Sequence, residues 1–560
     1  MGLRADRTPS EILCYHNFMP LKDDLQKIIK SEILADEQTL TNYSTDASIF
    51  QIKPAAVIFP KTVEDIKSLI KFSTLNNLSI TPRSAGTDMS GGAINDGLIL
   101  DMTKHFNQIL DISAGSATVQ PGVFYRDFEI ETLKKDLILP CFTASKDICT
   151  VGGMAANNSA GERTLIYGQT ERYVKKLKVV LSDGNEYTLE PLTSDQLKNK
   201  TSQNDFEGRI YKQIFELIEE NLDLIKKSKP QTHKNASGYY LWNVWDDRIF
   251  DLTKLIVGSQ GTLGIITEIE FELVKPNPIN SLLVISLNSL DNLDKIISTI
   301  LRFNPQAFEC YDDQTVEYAL KFLPELLQHF KLNNPVEVYS EFSEERQAEI
   351  GHSLPKLTLL AQFAASNDAE VYQKASLAQK ALQVFKIKTK IISDNKSAEK
   401  YWVIRHESFN MLRHHATGMK SAPFIDDIIV NPGNLAQFLP KLKSLLEEHK
   451  NYMLYTIAGH IGEGNFHIIP FVDLKKESVR KQIIDLYEKV NDLVLEFNGS
   501  LTAEHNDGLI RGPYLEKTYG EDVFQLFRKV KEIFDPKNIF NPHKKVDATF
   551  DYSFKHLIKN

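Results

Sequence analysis

PRSAGTDMSGG, residues 82–92, puts three glycines, two serines and an alanine into eleven positions, directly after the short apolar run LSITP (78–82). Small side chains let several backbone N–H groups converge on one anion, because a phosphate can then approach the chain closely. Taken alone the stretch also fits a surface turn. No G-x-G-x-x-G follows a strand and no G-x-x-x-x-G-K-[ST] occurs, so the Rossmann and P-loop readings lack their motifs. Two further small-residue segments, TVGGMAANNSAGERTLIYG (150–168) and VGSQGTLG (257–264), lie in the same β-rich half. Three such segments point to one long phosphorylated cofactor.

The surroundings read as β-α-β. PAAVIFP (54–60) is a strand, and Thr62 with Asp65 caps a helix whose apolar positions are Val63, Ile66, Leu69 and Ile70. LSITP, GLILDM (97–102) and SATVQPG (116–122) follow as strands. Upstream, LKDDLQKIIKSEIL (21–34) reads as helix. Asp183-Gly184 predicts a hairpin turn within 177–189. The stretch 255–276 begins as an apolar strand, breaks at three glycines and resumes as a longer strand. Lys275-Pro276-Asn277-Pro278 is the clearest linker.

Beyond the linker, three strand–helix–strand units recur. They begin at SLLVISL (281–287), KLTLLAQFAA (356–365) and FIDDIIV (424–430), and helices dominate after about residue 476. The fold class is α+β: a first half over 1–275, a second domain over 276–499 with an antiparallel sheet backed by helices, and a helical segment over 500–560.

Composition narrows the function. The chain has 560 residues, 65 basic against 74 acidic, with no Lys/Arg-rich block, which gives no electrostatic reason to expect nucleic acid. An apolar fraction of 42% supports a large core. No apolar run approaches the ~20 residues of a membrane span, and the start, MGLRADRTPS, has no apolar h-region and no myristoylation pattern. These features predict a cytoplasmic protein, with a peripheral position at the inner membrane as the variant. Cys14, Cys141, Cys149 and Cys310 include no C-x-x-C pair, so zinc ribbons, cysteine-ligated clusters and disulfides lose support and buried reduced thiols are expected.

The three glycine segments together carry a family resemblance. Residues 54–122 with PRSAGTDMSGG resemble the flavin-binding half of the vanillyl-alcohol-oxidase (PCMH-type) flavoproteins, and TVGGMAANNSAG and VGSQGTLGIITE resemble that family's later FAD-contacting segments. The C-terminal half resembles the cap of the FAD-linked 2-hydroxyacid dehydrogenases, a group acting on D-lactate, glycolate and D-2-hydroxyglutarate. The likeness spans about 43–545. It implies a two-subdomain FAD domain in which Arg83, Ser84, Ala85, Gly86 and Thr87 wrap the pyrophosphate, assisted by Ser90. It implies that Gly152, Gly153, Asn157 and Ser159 line the flavin or its phosphates, that Gly261 and Ile265 pack near the adenine or ribitol, and that Asn541 in FDPKNIFNPHK (534–544) reaches the isoalloxazine. Some relatives bind FAD through a histidine in the first loop. Thr87 stands there here, so non-covalent FAD is expected.

The sharpest local chemistry is TIAGHIGEGNFHIIPF (456–471). GEGN is a natural turn between two strand-like arms, and a hairpin there sets His460 and His467 roughly opposite each other on one face. In an unbroken strand their odd separation would send them to opposite faces. The resemblance implies Glu504 in SLTAEHNDG as the third ligand of a divalent metal and His505 as general base. Two nitrogens and a carboxylate suit zinc, with manganese or iron next, better than magnesium or calcium. It also implies that Arg405 and Lys420 hold the substrate carboxylate. His414 and His415 receive no role, and KNASGYYLWNV (234–244) belongs to the family pattern without an assigned chemistry.

These features predict a dehydrogenase that oxidises a small D-2-hydroxy acid, D-lactate or D-2-hydroxyglutarate in type, to the 2-oxo acid. A homodimer is compatible with them. Some longer relatives fuse a cysteine-rich iron–sulfur module after a similar AEHNDGLIRGPYL segment. This chain has no such module, so the expected acceptor is external: a quinone, a cytochrome, an electron-transferring flavoprotein or a separate iron–sulfur subunit. The competing readings are an alkyl transferase resembling alkyl-dihydroxyacetone-phosphate synthase, opposed by the His460, His467, Glu504 and His505 set, and a flavin subunit with a silent cap inside a larger redox complex.

Overall fold

Thr62 Oγ1 accepts the Asp65 N–H at 3.2 Å and the Asp65 carboxylate accepts the Thr62 N–H at 3.0 Å, so the expected capping box starts helix Val63–Asn76. Ile66, Leu69 and Ile70 are fully buried against Ile58, Leu98 and Leu100. Each such side chain is worth roughly 1.5–3 kcal/mol of burial. A computed structural model describes residues 18–277, 279–329, 342–416 and 418–559, without the side chains of 18–20, 329, 395, 408, 409, 411 and 415. Cys14, Pro278 and the His415 side chain lie outside the described residues.

The architecture is α+β. Strands Ala56–Phe59, Leu98–Asp101 and Ile80–Arg83 are parallel neighbours, edged by antiparallel Glu32–Leu34. A second, antiparallel sheet runs in the order Ile109–Ser113, Ser116–Val119, Ile265–Glu272, Val174–Val180, Glu186–Leu189. The Asp183-Gly184 hairpin forms as expected, with Gly184 at φ 76°.

After the linker, a seven-stranded antiparallel sheet orders Lys388–Ile392, Ile279–Leu287, Leu357–Ala365, Ala307–Asp312, Ala458–His460, Asn465–His467 and Ile428–Ile429. Helices Leu293–Leu301, Asp368–Ala381 and Leu435–Glu447 share one buried cluster with its inner face. The returning segment joins several cores. Val530 and Phe534 pack with the second sheet, Ile539 and Phe540 with the first, and Leu509 and Ile510 with the cap cluster. Ile80 and Phe540 form a parallel bridge.

Four local expectations change. The first helix ends at Ile28, and SEIL becomes a strand because Ile33 gains a pairing partner in Ile58. Residues 253–256 form one helical turn instead of a strand, since Asp251 Oδ1 accepts the Thr253 N–H at 2.9 Å and its hydroxyl at 2.6 Å. FIDDIIV pairs only at Ile428–Ile429, because Asp427 adopts φ 67° and turns inward. YMLYTIAGH divides between two sheets, Met453–Leu454 in a three-stranded one and Ala458–His460 in the seven-stranded one.

Candidate active site

A cavity of about 650 Å³ separates the glycine segments from the cap. Ser84, Ala85, Gly86, Thr87, Gly152, Gly153, Asn157, Ser159 and Gly261 line one side, and Arg405, His460, His467, Glu504 and His505 the other. Among the described residues, the N–H groups of Ala85, Gly86 and Thr87 meet no protein acceptor. Gly86 sits at φ 68°, where a Cβ would overlap the Arg83 guanidinium. A left-handed turn with unpaired N–H groups beside a cavity is a cradle for a diphosphate.

Three flavin-side expectations are revised, at Ser90, Ile265 and Asn541, while the expectation for Arg83 concerned its backbone N–H alone. The Arg83 side chain turns away from the cavity and donates to the carbonyls of Tyr43, Thr45 and Ala93 at 3.3, 2.9 and 3.3 Å. Ser90 is buried beneath the loop, donating to Asp88 Oδ2 and accepting from Gln260 Nε2, both at 2.9 Å. Ile265 packs in the first apolar core, while its neighbours Gly264 and Ile266 reach the cavity. Asn541 does not line the cavity. Its Nδ2 donates to the Gly92 carbonyl at 2.8 Å and the Gln260 carbonyl at 2.7 Å, bolting the first glycine segment to the third.

The hairpin at 458–467 forms, with a register that refines the expectation. His460 pairs with Asn465 and His467 with Ala458, so the imidazoles are diagonal neighbours on one face, centroids 5.1 Å apart. Gly464 makes the turn at φ 77°, and a Cβ there would collide with the Val430 carbonyl. Glu504 Oε1 lies 3.0 Å from His460 Nε2 and 3.8 Å from His467 Nε2. Ligands of a tetrahedral zinc at ~2.1 Å stand about 3.4 Å apart, so this triad fits a divalent cation of that class.

His505 stacks on His467 at 5.2 Å. Asp426 lies beside both rings, with Oδ1 3.2 Å from His467 Nδ1 and Oδ2 in ion-pair contact with His505 Nδ1 at 2.7 Å. Asp427 Oδ2 accepts the N–H groups of Glu504 at 2.9 Å and His505 at 2.7 Å, fixing the backbone at both residues. Burial opposes charge on His505, but Asp427 and Asp426 outweigh it and raise the imidazole to about 9. Burial likewise opposes an ionised Glu504, yet Lys234 and His460 hold it well below the usual carboxylate range.

Arg405 reaches the cavity from helix Asn395–His415. Lys420 does not: it is exposed on a short strand paired with Val472. His414 pairs with Glu325 at the surface.

Sequence reading missed Lys234, Glu309, Asp426, Asp427 and Glu463, all buried around the imidazoles. Charged residues inside apolar runs were the available signal, as in QAFECYD and FIDDIIV. Cys141, Cys149 and Cys310 are buried free thiols, as expected. Among the described residues no helix is long and apolar enough to cross a membrane.

Known proteins share this layout. An FAD binding domain model matches residues 54–190, and the model of the FAD linked oxidases, C-terminal domain, matches 277–545. D-2-hydroxyglutarate dehydrogenase of Escherichia coli (strain K12) is 26% identical, over 91% of this chain and 49% of its own length. D-lactate dehydrogenase of Anaerostipes hadrus is 26% identical, over 93% of this chain and 96% of its own. The chain spans about half the length of the first four D-2-hydroxyglutarate dehydrogenases it matches. In fold it resembles 4-ethylphenol oxidase from Gulosibacter chungangensis, with a TM-score of 0.67 at 15% identity over 96% of this chain and 98% of that one. It also resembles alkyldihydroxyacetonephosphate synthase, with a TM-score of 0.64 at 16% identity over 94% and 85%. With an FAD binding domain in one half and the matching oxidase domain in the other, meeting at one cavity, the chain belongs to the FAD-linked oxidase family.

Proposed function

We propose that this chain is an FAD-dependent dehydrogenase oxidising a small D-2-hydroxy acid to the 2-oxo acid, with electrons passed to an external acceptor. The observation that carries this reading is one cavity joining a diphosphate cradle to three imidazoles, a carboxylate and an arginine. The unpaired N–H groups of Ala85, Gly86 and Thr87 would hold the FAD diphosphate, and His460, His467 and Glu504 a divalent metal, zinc by donor type. Thr87 offers no ring nitrogen for attachment, so FAD is held without a covalent bond at that position.

Arg405 binds the substrate carboxylate through its guanidinium fork. His505 takes the 2-hydroxyl proton at Nε2, while Asp426 holds Nδ1 and stabilises the resulting imidazolium. When bound, FAD supplies a two-electron acceptor for the C2 hydride, and the cation supplies Lewis acidity at the hydroxyl oxygen. Asp427, Asp426 and Glu504 raise the His505 imidazole against its burial, and a cation held beside it would favour the neutral, proton-accepting form. The names of the D-2-hydroxyglutarate and D-lactate dehydrogenase relatives support this substrate class.

The test is anaerobic mixing of the FAD-loaded protein with a panel of D- and L-2-hydroxy acids. Bleaching of the flavin by D-isomers is the expected result. An oxidised flavin after every member of the panel would overturn the reading and favour the alkyl-transferase or silent-subunit alternatives.

A further inference from the structure

Glu309 stands between two parts of the site that have separate tasks. Its Oε1 lies 2.6 Å from His460 Nδ1, and its Oε2 lies 3.1 Å from Arg405 Nε and 3.0 Å from Arg405 Nη2. The residue is 1% exposed, on strand Ala307–Asp312. Arg405 is 96 residues away in sequence and His460 is 151, so the fold alone brings the three together.

A carboxylate only accepts, so both contacts assign protons. His460 directs its Nδ1–H at Glu309, so the ring atom left for a cation is Nε2, 3.0 Å from Glu504 Oε1. Arg405 commits its Nε edge to Glu309. Its Nη1 meets no protein partner among the described residues, and the side chain lines the cavity.

We propose that Glu309 is a positioning residue that couples carboxylate capture at Arg405 to metal holding at His460; this rests on the roles given to those two side chains above. One negative charge is divided between them. Without Arg405 the whole charge falls on His460, which becomes the more basic metal ligand. Without Glu309 the imidazole loses its fixed tautomer and Arg405 loses its aim.

The test uses the FAD-loaded protein with Glu309→Gln, Arg405→Met and the double variant. Each is titrated with cobalt(II) and followed by visible absorption, with flavin content and thermal midpoint as controls. Glu309→Gln is expected to weaken cobalt binding about tenfold. It should also raise KM for the hydroxy acid more than it lowers kcat, and Glu309→Asp should recover part of both. Arg405→Met should tighten cobalt binding in the parent and leave it unchanged in the Glu309→Gln background. Should Glu309→Gln fail to fold, the Arg405→Met titration decides alone.

Cobalt affinity unchanged by Arg405→Met, or changed equally in both backgrounds, overturns the coupling. A parent chain that takes up no cobalt overturns the metal assignment itself, and this proposal with it.

Discussion

Lys234 Nζ lies 2.8 Å from Glu504 Oε1, and the same ammonium lies 2.8 Å from Glu463 Oε2, all three groups buried. A fixed cation therefore already balances the carboxylate that the proposed metal would share. Lys234→Met leaves two buried carboxylates one charge short, which costs about 3–5 kcal/mol. In a chelator the thermal midpoint should fall accordingly. Added zinc should recover more stability in this variant than in the parent, because a dication replaces the missing charge. Calorimetry with and without zinc makes the comparison, and an equal gain in both proteins would separate the metal from Glu504.

His505→Ala should keep its FAD and lose the base. Flavin reduction by substrate should slow by roughly 10²–10⁴-fold. Stopped-flow absorbance measures this directly, and a rate near that of the parent would remove His505 from the chemistry.

Asn541 fastens two of the glycine segments of the proposed cofactor cradle. Asn541→Ala strands the Gly92 and Gln260 carbonyls, which now accept from Nδ2 at 2.8 and 2.7 Å. Buried groups left unpaired cost about 1–3 kcal/mol. A fraction of that, expressed in the cradle, weakens FAD binding about tenfold per 1.4 kcal/mol. Release of flavin fluorescence on dilution reports it; full retention would show that the bolt serves the apoprotein alone.

Asp312 gives the cap a pH dependence. Burial raises its carboxyl to about 6, against hydrogen bonds from Thr315 that pull the other way. The folded state holds this proton more tightly than the unfolded chain, whose carboxyl titrates near 3.9. The contribution of Asp312 therefore favours folding most below about pH 4 and is lost as pH rises through 6. Denaturation at several pH values should show this decline, and Asp312→Asn should remove it. Parallel curves for both proteins would contradict the assignment.

The sequence was most legible where a local rule acts alone. The Thr62–Asp65 box, the Asp183-Gly184 turn and the Gly464 hairpin each depend on a few adjacent residues. It was least legible where distant groups decide. Asp426 and Asp427 read as part of a strand, because nothing near them reveals that two imidazoles and two amides wait on other segments. Lys420 stands at the family spacing from Arg405, yet the short strand that carries it pairs with Val472 and leaves the ammonium in solvent. Asn541 was placed with the flavin and proved to hold the loops around it.

The bridge from Ile80 to Phe540 and the bond from Thr81 to Asn541 set the order in which the protein can be finished. Thr81 and Asn541 are 460 residues apart. At the roughly 5–20 residues per second of synthesis, the first glycine segment emerges about 23–92 s before its fastening arrives. Throughout that interval the diphosphate loop lacks its anchor and the imidazoles of the cap are not yet in place. Cofactor loading therefore waits until the segment around Asn541 has been made, and the half-made protein must survive without the ligand that would steady it.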